Sequence, residues 1–186
     1  LAGSKLVFPG PQLDGASVYE LFENEGVTMS AGVPTVWLGL LQHVKQNNLR
    51  FSTLKRTVIG GSACPPAMIR AFENDYDVRV LHAWGMTELS PLGTVSTLKA
   101  KNLAQSKADQ LKIQDKQGRP LYGVDMKIVD DDGKDLPWDG KAFGDLLVRG
   151  PWITTQYYKG EGGNILRTDA ENRSWFPTGD VATIDA

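Results

Sequence analysis

The sequence is short of cysteine and histidine. Cys64 is the single cysteine in 186 residues and has no second thiol with which to form an internal disulfide. With only His43 and His82 beside it, the ligands of a zinc cluster are missing as well. Such usage is expected of a reducing, cytoplasmic compartment. There is no excess of one charge: 20 Lys+Arg against 22 Asp+Glu leave a formal net charge of −2, so nucleic-acid binding has no electrostatic footing. No apolar run approaches the roughly 20 residues of a membrane-crossing helix. The 20 glycines and 10 prolines are scattered rather than periodic, which excludes collagen, and aliphatic residues are too plentiful for disorder. No internal repeat is visible. A G-x-S-x-G element, an H-E-x-x-H pair and a P-loop lysine motif are also missing.

What is present is an alternation of short β-prone runs and amphipathic helical patterns, the grammar of βα units around a parallel sheet. Lys5–Phe8 reads as a strand ended by Pro9, Gly10 and Pro11. Asp14 then caps a helix with Val18, Leu21 and Phe22 on one face and Gly26 at its stop. Val27–Ser30 is the next strand, and Gly32-Val33-Pro34 opens a helix whose Val36, Trp37, Leu40, Leu41 and Val44 share one stripe, ending near Gln46–Asn48. Thr57–Gly60 is a third strand, followed by a Pro-started helix that buries Ala67, Met68, Ala71 and Phe72. Val78–His82 is a fourth. Thr97–Lys116 is polar and lysine-rich, a solvated helix or mobile surface loop.

After Pro120 the grammar changes. Val124–Val129 alternates, Asp130-Asp131-Asp132-Gly133 reads as a hairpin turn rather than a calcium loop, and Asp145–Arg149 starts another strand. The expected fold is therefore α/β: a mostly parallel sheet with flanking helices over residues 1–116, then a small antiparallel β subdomain over 117–186. "LAGSKLVF" opens as though a strand were under way and "VATIDA" stops inside one, so both ends read as cuts in a longer protein. A sheet cut in this way exposes an edge and apolar surface, and association into a homo-oligomer is one expectation.

Three loops carry candidate chemistry, each at the C-terminal end of an expected strand, where open α/β sheets bind ligands. In Gly60-Gly61-Ser62-Ala63-Cys64-Pro65 the glycines admit a flat or charged ligand to the backbone ahead of a helix N-terminus. The same pattern serves as plain punctuation. Trp84-Gly85-Met86-Thr87-Glu88 places an aromatic ring, a hydroxyl and a carboxylate within five residues. Trp84 can stack on a base, Thr87 can donate to a phosphate oxygen, and Glu88 can hold Mg²⁺, which prefers one or two carboxylates plus phosphate oxygens. The alternative is a helix start with Thr87 as its cap and Trp84 in the core. In Phe176-Pro177-Thr178-Gly179-Asp180 the carboxylate can accept hydrogen bonds from a ribose diol, or can simply cap a turn. His43 reads as solvated, His82 as either a pocket residue or a satisfied core histidine, and Cys64 fits no nucleophile constellation.

The three loops, in this order and at these separations, resemble the adenylate-forming superfamily. "VPTVWLGLL", "GGSACPPAMI", "WGMTELSP", "GPWITTQYY" and "FPTGDVATID" are similar more narrowly to medium- and long-chain fatty acid–CoA ligases, nearly end to end. The resemblance implies activation of a fatty acid with ATP to acyl-AMP, then transfer to CoA, with Mg²⁺ as the metal. By that resemblance Gly61, Ser62 and Ala63 border the adenine and the acyl carboxylate, and Trp84, with Gly85 beside it, replaces a tyrosine that packs on adenine. Thr87 touches the α-phosphate, Glu88 binds Mg²⁺ and Asp180 holds the ribose hydroxyls. Val33, Pro34, Thr35 and Trp37 fall where an acyl or CoA channel wall is expected. The resemblance further implies a phosphate-binding loop ahead of Leu1 and a lysine-bearing domain after Ala186, so the 186 residues alone are expected to be inactive. Adenylation of an aryl or amino acid, and a non-catalytic α/β binding module, are the competing readings.

Overall fold

The computed structural model describes residues 3–186. The described chain forms two compact units. The first takes in the chain up to Gly85 together with Thr94–Arg119, and the second comprises Met86–Gly93 and Pro120–Ala186. Among the described residues no helix is long and apolar enough to cross a membrane. The sheets confirm the expected class: one begins with parallel strands between helices, the other is antiparallel.

Helix α1 (Gly15–Glu25) starts where Asp14 accepts from the backbone N–H groups of Ala16 (3.1 Å) and Ser17 (3.0 Å). These bonds, the Ser17 backbone first, pull the Asp14 carboxyl below its ordinary range. The helix stops at left-handed Gly26. Strand β1 (Met29–Gly32), helix α2 (Pro34–Gln46), strand β2 (Arg56–Ile59) and helix α3 (Pro66–Arg70), continued by a π-helical turn at Ala71–Asp75, lead to β3 (Arg79–Gly85). Next come β4 (Leu92–Val95), α4 (Ala100–Leu103), α5 (Lys107–Gln114) and β5 (Arg119–Pro120). The sheet order is β1-β2-β3-β4-β5. Val18, Phe22, Trp37, Leu40, Val44, Ile59, Ile69, Phe72 and Val80 form the core of the first unit, each large side chain contributing about 1.5–3 kcal/mol.

Two expectations about strands fail. Residues 5–8 form no strand, and Leu6 and Phe8 are exposed, because no neighbouring chain pairs with them among the described residues. Leu1 and Ala2 lie outside the described residues. The strand expected over 78–82 runs on to Gly85, so Trp84 and Gly85 are strand residues rather than loop residues. The polar stretch 97–116 forms two short helices, with Asn102 and Gln114 buried.

In the second unit β6 (Asp125–Val129), β7 (Phe143–Arg149), β8 (Arg167–Thr168) and β9 (Ser174–Thr183) make an antiparallel sheet of order β6-β7-β9-β8. After β6, Asp130 Oδ1 accepts from the N–H groups of Asp132 (3.1 Å) and Lys134 (2.8 Å), the hairpin turn expected of the acidic triplet. Lys127 is nearly buried on this sheet. It pairs with Asp135 (2.9 Å) and Asp169 (3.3 Å), and its ammonium lies 4.7 Å from the centre of the Trp175 ring. Asp169 also accepts from Trp175 Nε1 (2.7 Å), Arg173 Nε (2.9 Å) and the Arg173 backbone (2.8 Å). Burial alone would raise the Asp169 carboxyl; the bonds from Arg173, Trp175 and Lys127 outweigh it and hold the group far below the ordinary carboxylate range.

Two predictions follow from the packing. A Cβ on Gly15 would stand 2.2 Å from the Gly39 carbonyl oxygen, whereas one on Gly39 finds nothing nearer than the Gly15 nitrogen at 3.8 Å. Gly15→Ala is therefore expected to destabilise by about 1–3 kcal/mol, and Gly39→Ala, inside α2, to be neutral or stabilising by up to about 1 kcal/mol, as read from urea midpoints. The Asp169 carboxylate stabilises the fold above the ordinary carboxylate range, and that contribution is lost as pH falls through it toward the depressed value. Asp169→Asn should lower the neutral-pH midpoint and flatten the acid limb of a stability–pH curve.

Candidate functional site

In the first unit the parallel register aligns Gly32 with Ile59 and Ile59 with His82, so β1, β2 and β3 deliver their C-terminal ends to one edge. The turn leaving β2 is clamped there. The Gly60 N–H donates to the Gly32 carbonyl (3.2 Å), and a Cβ on Gly60 would stand 3.0 Å from the Ala83 carbonyl oxygen. The first expected loop thus lies against the end of β3, one residue from Trp84. Gly61 has φ +82°, and a Cβ on it would meet Val33 Cγ1 at 3.0 Å, so a side chain there meets both backbone strain and a neighbour. Gly61, Ser62 and Ala63 are exposed, and Trp84 and Gly85 are half-buried.

Cys64 and His82 hold this turn from below. The Cys64 N–H donates to His82 Nε2 (3.2 Å), which requires that nitrogen to be unprotonated. His82 is 1% exposed, a core histidine as the second reading has it, but only half satisfied: Nε2 accepts from Cys64 and the buried Nδ1 has no partner among the described residues. Burial lowers its pKa; the Asp115 charge and the backbone of Lys116 and Asp115 oppose the shift without cancelling it. Burial, with the Asp115 charge second, pushes the Cys64 thiol up to about 11, so it is no nucleophile at neutral pH. Val33 and Thr35 are exposed. Trp37 instead packs in the core between Phe22 (6.1 Å between ring centres) and Phe72 (6.5 Å), so it is not an open channel wall.

In the second unit Thr87–Leu89 forms one 3-10 turn. Thr87 is exposed and is the first residue of that turn, not its cap; Met86 precedes it without a side-chain capping bond. Glu88 is half-buried. Its Oε1 accepts from the Tyr157 hydroxyl at 2.8 Å and its carbonyl from the Thr154 N–H at 2.8 Å. Ser90 Oγ donates to the Trp152 carbonyl (2.9 Å), and Trp152 Nε1 to the Leu92 carbonyl (3.4 Å). The bond to Glu88, then burial and the Glu88 charge, raise the Tyr157 pKa and keep its hydroxyl a donor. Glu88 Oε2 makes no hydrogen bond among the described residues.

Asp180 was expected beyond a turn, but it lies within β9, past Gly179 at φ +80° and opposite a register shift between Asp145 and Leu147 of β7. The bulge, rather than a free turn, sets its position. The Asp180 N–H donates to Thr178 Oγ1 (3.1 Å), which itself donates to the Leu146 carbonyl (2.9 Å). The Asp180 residue is exposed.

Within the first unit, then, 61–63 and 84–85 meet at one strand edge; within the second, Thr87 and Glu88 are fastened to the segment 152–157. Sequence reasoning gave Tyr157 no role, since nothing local marks a tyrosine 69 positions away as a partner of Glu88. Among the described residues no three His, Cys, Asp or Glu side chains gather as a metal cluster.

The state of His82 carries a pH prediction. Its folded pKa is depressed, so below the ordinary imidazole range the unfolded chain binds more protons and stability declines. The urea midpoint should fall between about pH 7.5 and pH 5.5, and His82→Gln should flatten that limb.

A family model described as "AMP-binding enzyme" matches residues 1–158. Over its whole length the chain is 49% identical to the medium-chain-fatty-acid–CoA ligase of Ectopseudomonas oleovorans and covers 33% of that protein. It is 47% identical to the 3-methylmercaptopropionyl-CoA ligase of Ruegeria lacuscaerulensis, again covering 33% of it. The chain thus spans about a third of the length of the curated relatives it matches. Among solved structures, a long-chain-fatty-acid-CoA ligase from Archaeoglobus fulgidus superposes with TM-score 0.76 at 27% identity, covering 92% of this chain and 35% of that one.

Proposed function

We propose that this chain, which belongs to the family of AMP-binding enzymes, is part of a fatty acid–CoA ligase that activates its acid with ATP. The observation that carries the reading is the match over the whole chain, at 47–49% identity, to proteins named as acyl-CoA ligases. In the reaction the substrate carboxylate forms a bond to the α-phosphorus of ATP while the bond to pyrophosphate breaks. The CoA thiol then takes the acyl group and AMP leaves. A cytoplasmic setting accords with these substrates.

Each residue has a task. The exposed turn 61–63 offers backbone and a hydroxyl to the adenine and the acyl carboxylate, where Gly61 keeps the approach open. Trp84 supplies a planar face for adenine at the end of β3, Thr87 an exposed hydroxyl for the α-phosphate, and Asp180 a carboxylate for the ribose diol. The donor set at Glu88 fits Mg²⁺: one carboxylate, half-buried, with Oε1 held by Tyr157 and Oε2 without a hydrogen bond among the described residues. A hard cation completed by phosphate oxygens needs no larger protein cluster. Bound there, Mg²⁺ supplies neutralisation of charge on the phosphates.

A second reading concerns the acid alone. Two 3-methylmercaptopropionyl-CoA ligases match at 47% and 48% identity, level with the 49% of the medium-chain-fatty-acid–CoA ligase, so a short thioether acid stands beside a fatty acid as the substrate. Pyrophosphate exchange by the full-length protein, run across octanoate, palmitate, 3-methylmercaptopropionate, benzoate and amino acids, decides between them. Exchange is expected with an aliphatic acid, and Glu88→Gln should reduce it about 10²–10³-fold, the usual scale for losing one group that stabilises transition-state charge. Asp180→Asn should act mainly on the KM for ATP. Exchange with none of the acids would sink the reading.

A further inference from the structure

The Glu88 carboxylate does not stand alone. Tyr157, 69 residues further along the chain, places its hydroxyl 2.8 Å from Oε1, while Oε2 makes no hydrogen bond among the described residues. The tyrosine is itself held. It closes the segment 152–157, in which Ser90 Oγ reaches the Trp152 carbonyl (2.9 Å), Trp152 Nε1 reaches the Leu92 carbonyl (3.4 Å) and the Thr154 N–H reaches the Glu88 carbonyl (2.8 Å). Thr154 Oγ1 donates to the Gln156 carbonyl (2.9 Å), which tightens the turn that presents Tyr157. Main chain and side chain of Glu88 are therefore both fixed by one strap, the first through Thr154 and the second through Tyr157.

We propose that Tyr157 is a positioning residue for Glu88: its hydroxyl occupies Oε1 and holds Oε2 in the one orientation available to a divalent cation on the phosphates. The proposal rests on the assignment of Glu88 above and adds to it the group that pre-orients this ligand. The physical reason is entropic and geometric. A glutamate has three side-chain torsions, and without the hydroxyl the carboxylate must be ordered by the cation itself, at a cost in affinity. A tyrosine ring is stiff, and Tyr157 keeps its hydroxyl on Oε1 although the residue is 40% exposed. Tyr158, the next residue, is 77% exposed and makes no such bond.

The test is ATP binding by the full-length protein, followed by calorimetry across a Mg²⁺ titration, so that the readout does not depend on turnover. Tyr157→Phe keeps the ring and removes only the hydroxyl; it should raise the Mg²⁺ concentration for half-maximal ATP binding about 10-fold, the lower end for loss of a ligand's supporting hydrogen bond. The thermal midpoint should stay unchanged, and saturating Mg²⁺ should restore most of kcat. Tyr158→Phe should leave the Mg²⁺ titration at the wild-type position. Placed in a Glu88→Gln background, Tyr157→Phe should add nothing, because the two act through one ligand. A Mg²⁺ midpoint for Tyr157→Phe within about twofold of wild type, or an equal loss in the Glu88→Gln background, overturns the proposal while leaving Glu88 as the ligand. If Glu88→Gln itself leaves the titration unmoved, the assignment of Glu88 falls, and the role of Tyr157 with it.

Discussion

The hydrogen bond from the Thr154 N–H to the Glu88 carbonyl organises more of this molecule than its 2.8 Å suggests. Residues 84–88 are consecutive and read as one motif, yet the chain changes allegiance in the middle of it. Up to Gly85 the backbone is a strand of the first unit; from Met86 it belongs to the second. After Met86 the Glu88 carbonyl finds its backbone partner in the Thr154 N–H, so that peptide group is not left unpaired. The same pairing delivers the Tyr157 hydroxyl to the Glu88 side chain.

A second constraint acts in the first unit. Parallel strands in register end together, so residues following β1, β2 and β3 become neighbours without any signal of their own. The Cys64–His82 bond shows how this edge is held: a buried imidazole accepts the Cys64 backbone N–H beneath the exposed turn. The polar groups beneath the exposed turn are thus the ones that hold it in place. In the second unit Asp169 plays the corresponding part, neutralising Lys127 beneath the Trp175 ring and allowing a lysine to sit at a core position of β6.

Much of the architecture was legible because it is local. Asp14 and Gly26 bracket α1, Pro34 starts α2, and the stripe of Trp37, Leu40, Leu41 and Val44 marks its buried face. Errors fell where a partner decides. Residues 5–8 have strand composition and, among the described residues, no strand to pair with. Trp84 and Gly85 have loop composition but lie in β3, where strand pairing prevails over the glycine. Asp180 follows a Thr-Gly pair that looks like a turn but is a bulge inside β9, because β7 lies alongside to be paired with.

The amino-acid sequence by itself determined the class of fold, the order of the βα units, the hairpin at Asp130 and the residue types available for nucleotide chemistry, since each depends on periodicity, capping or turn geometry within a few neighbours. Only the tertiary structure decided that Tyr157 fastens Glu88, that His82 supports the turn at Cys64, and that Asp180 sits on a bulge inside β9. Those facts depend on which distant segments the backbone ladder brings within hydrogen-bonding range, and sequence separation carries no record of that distance.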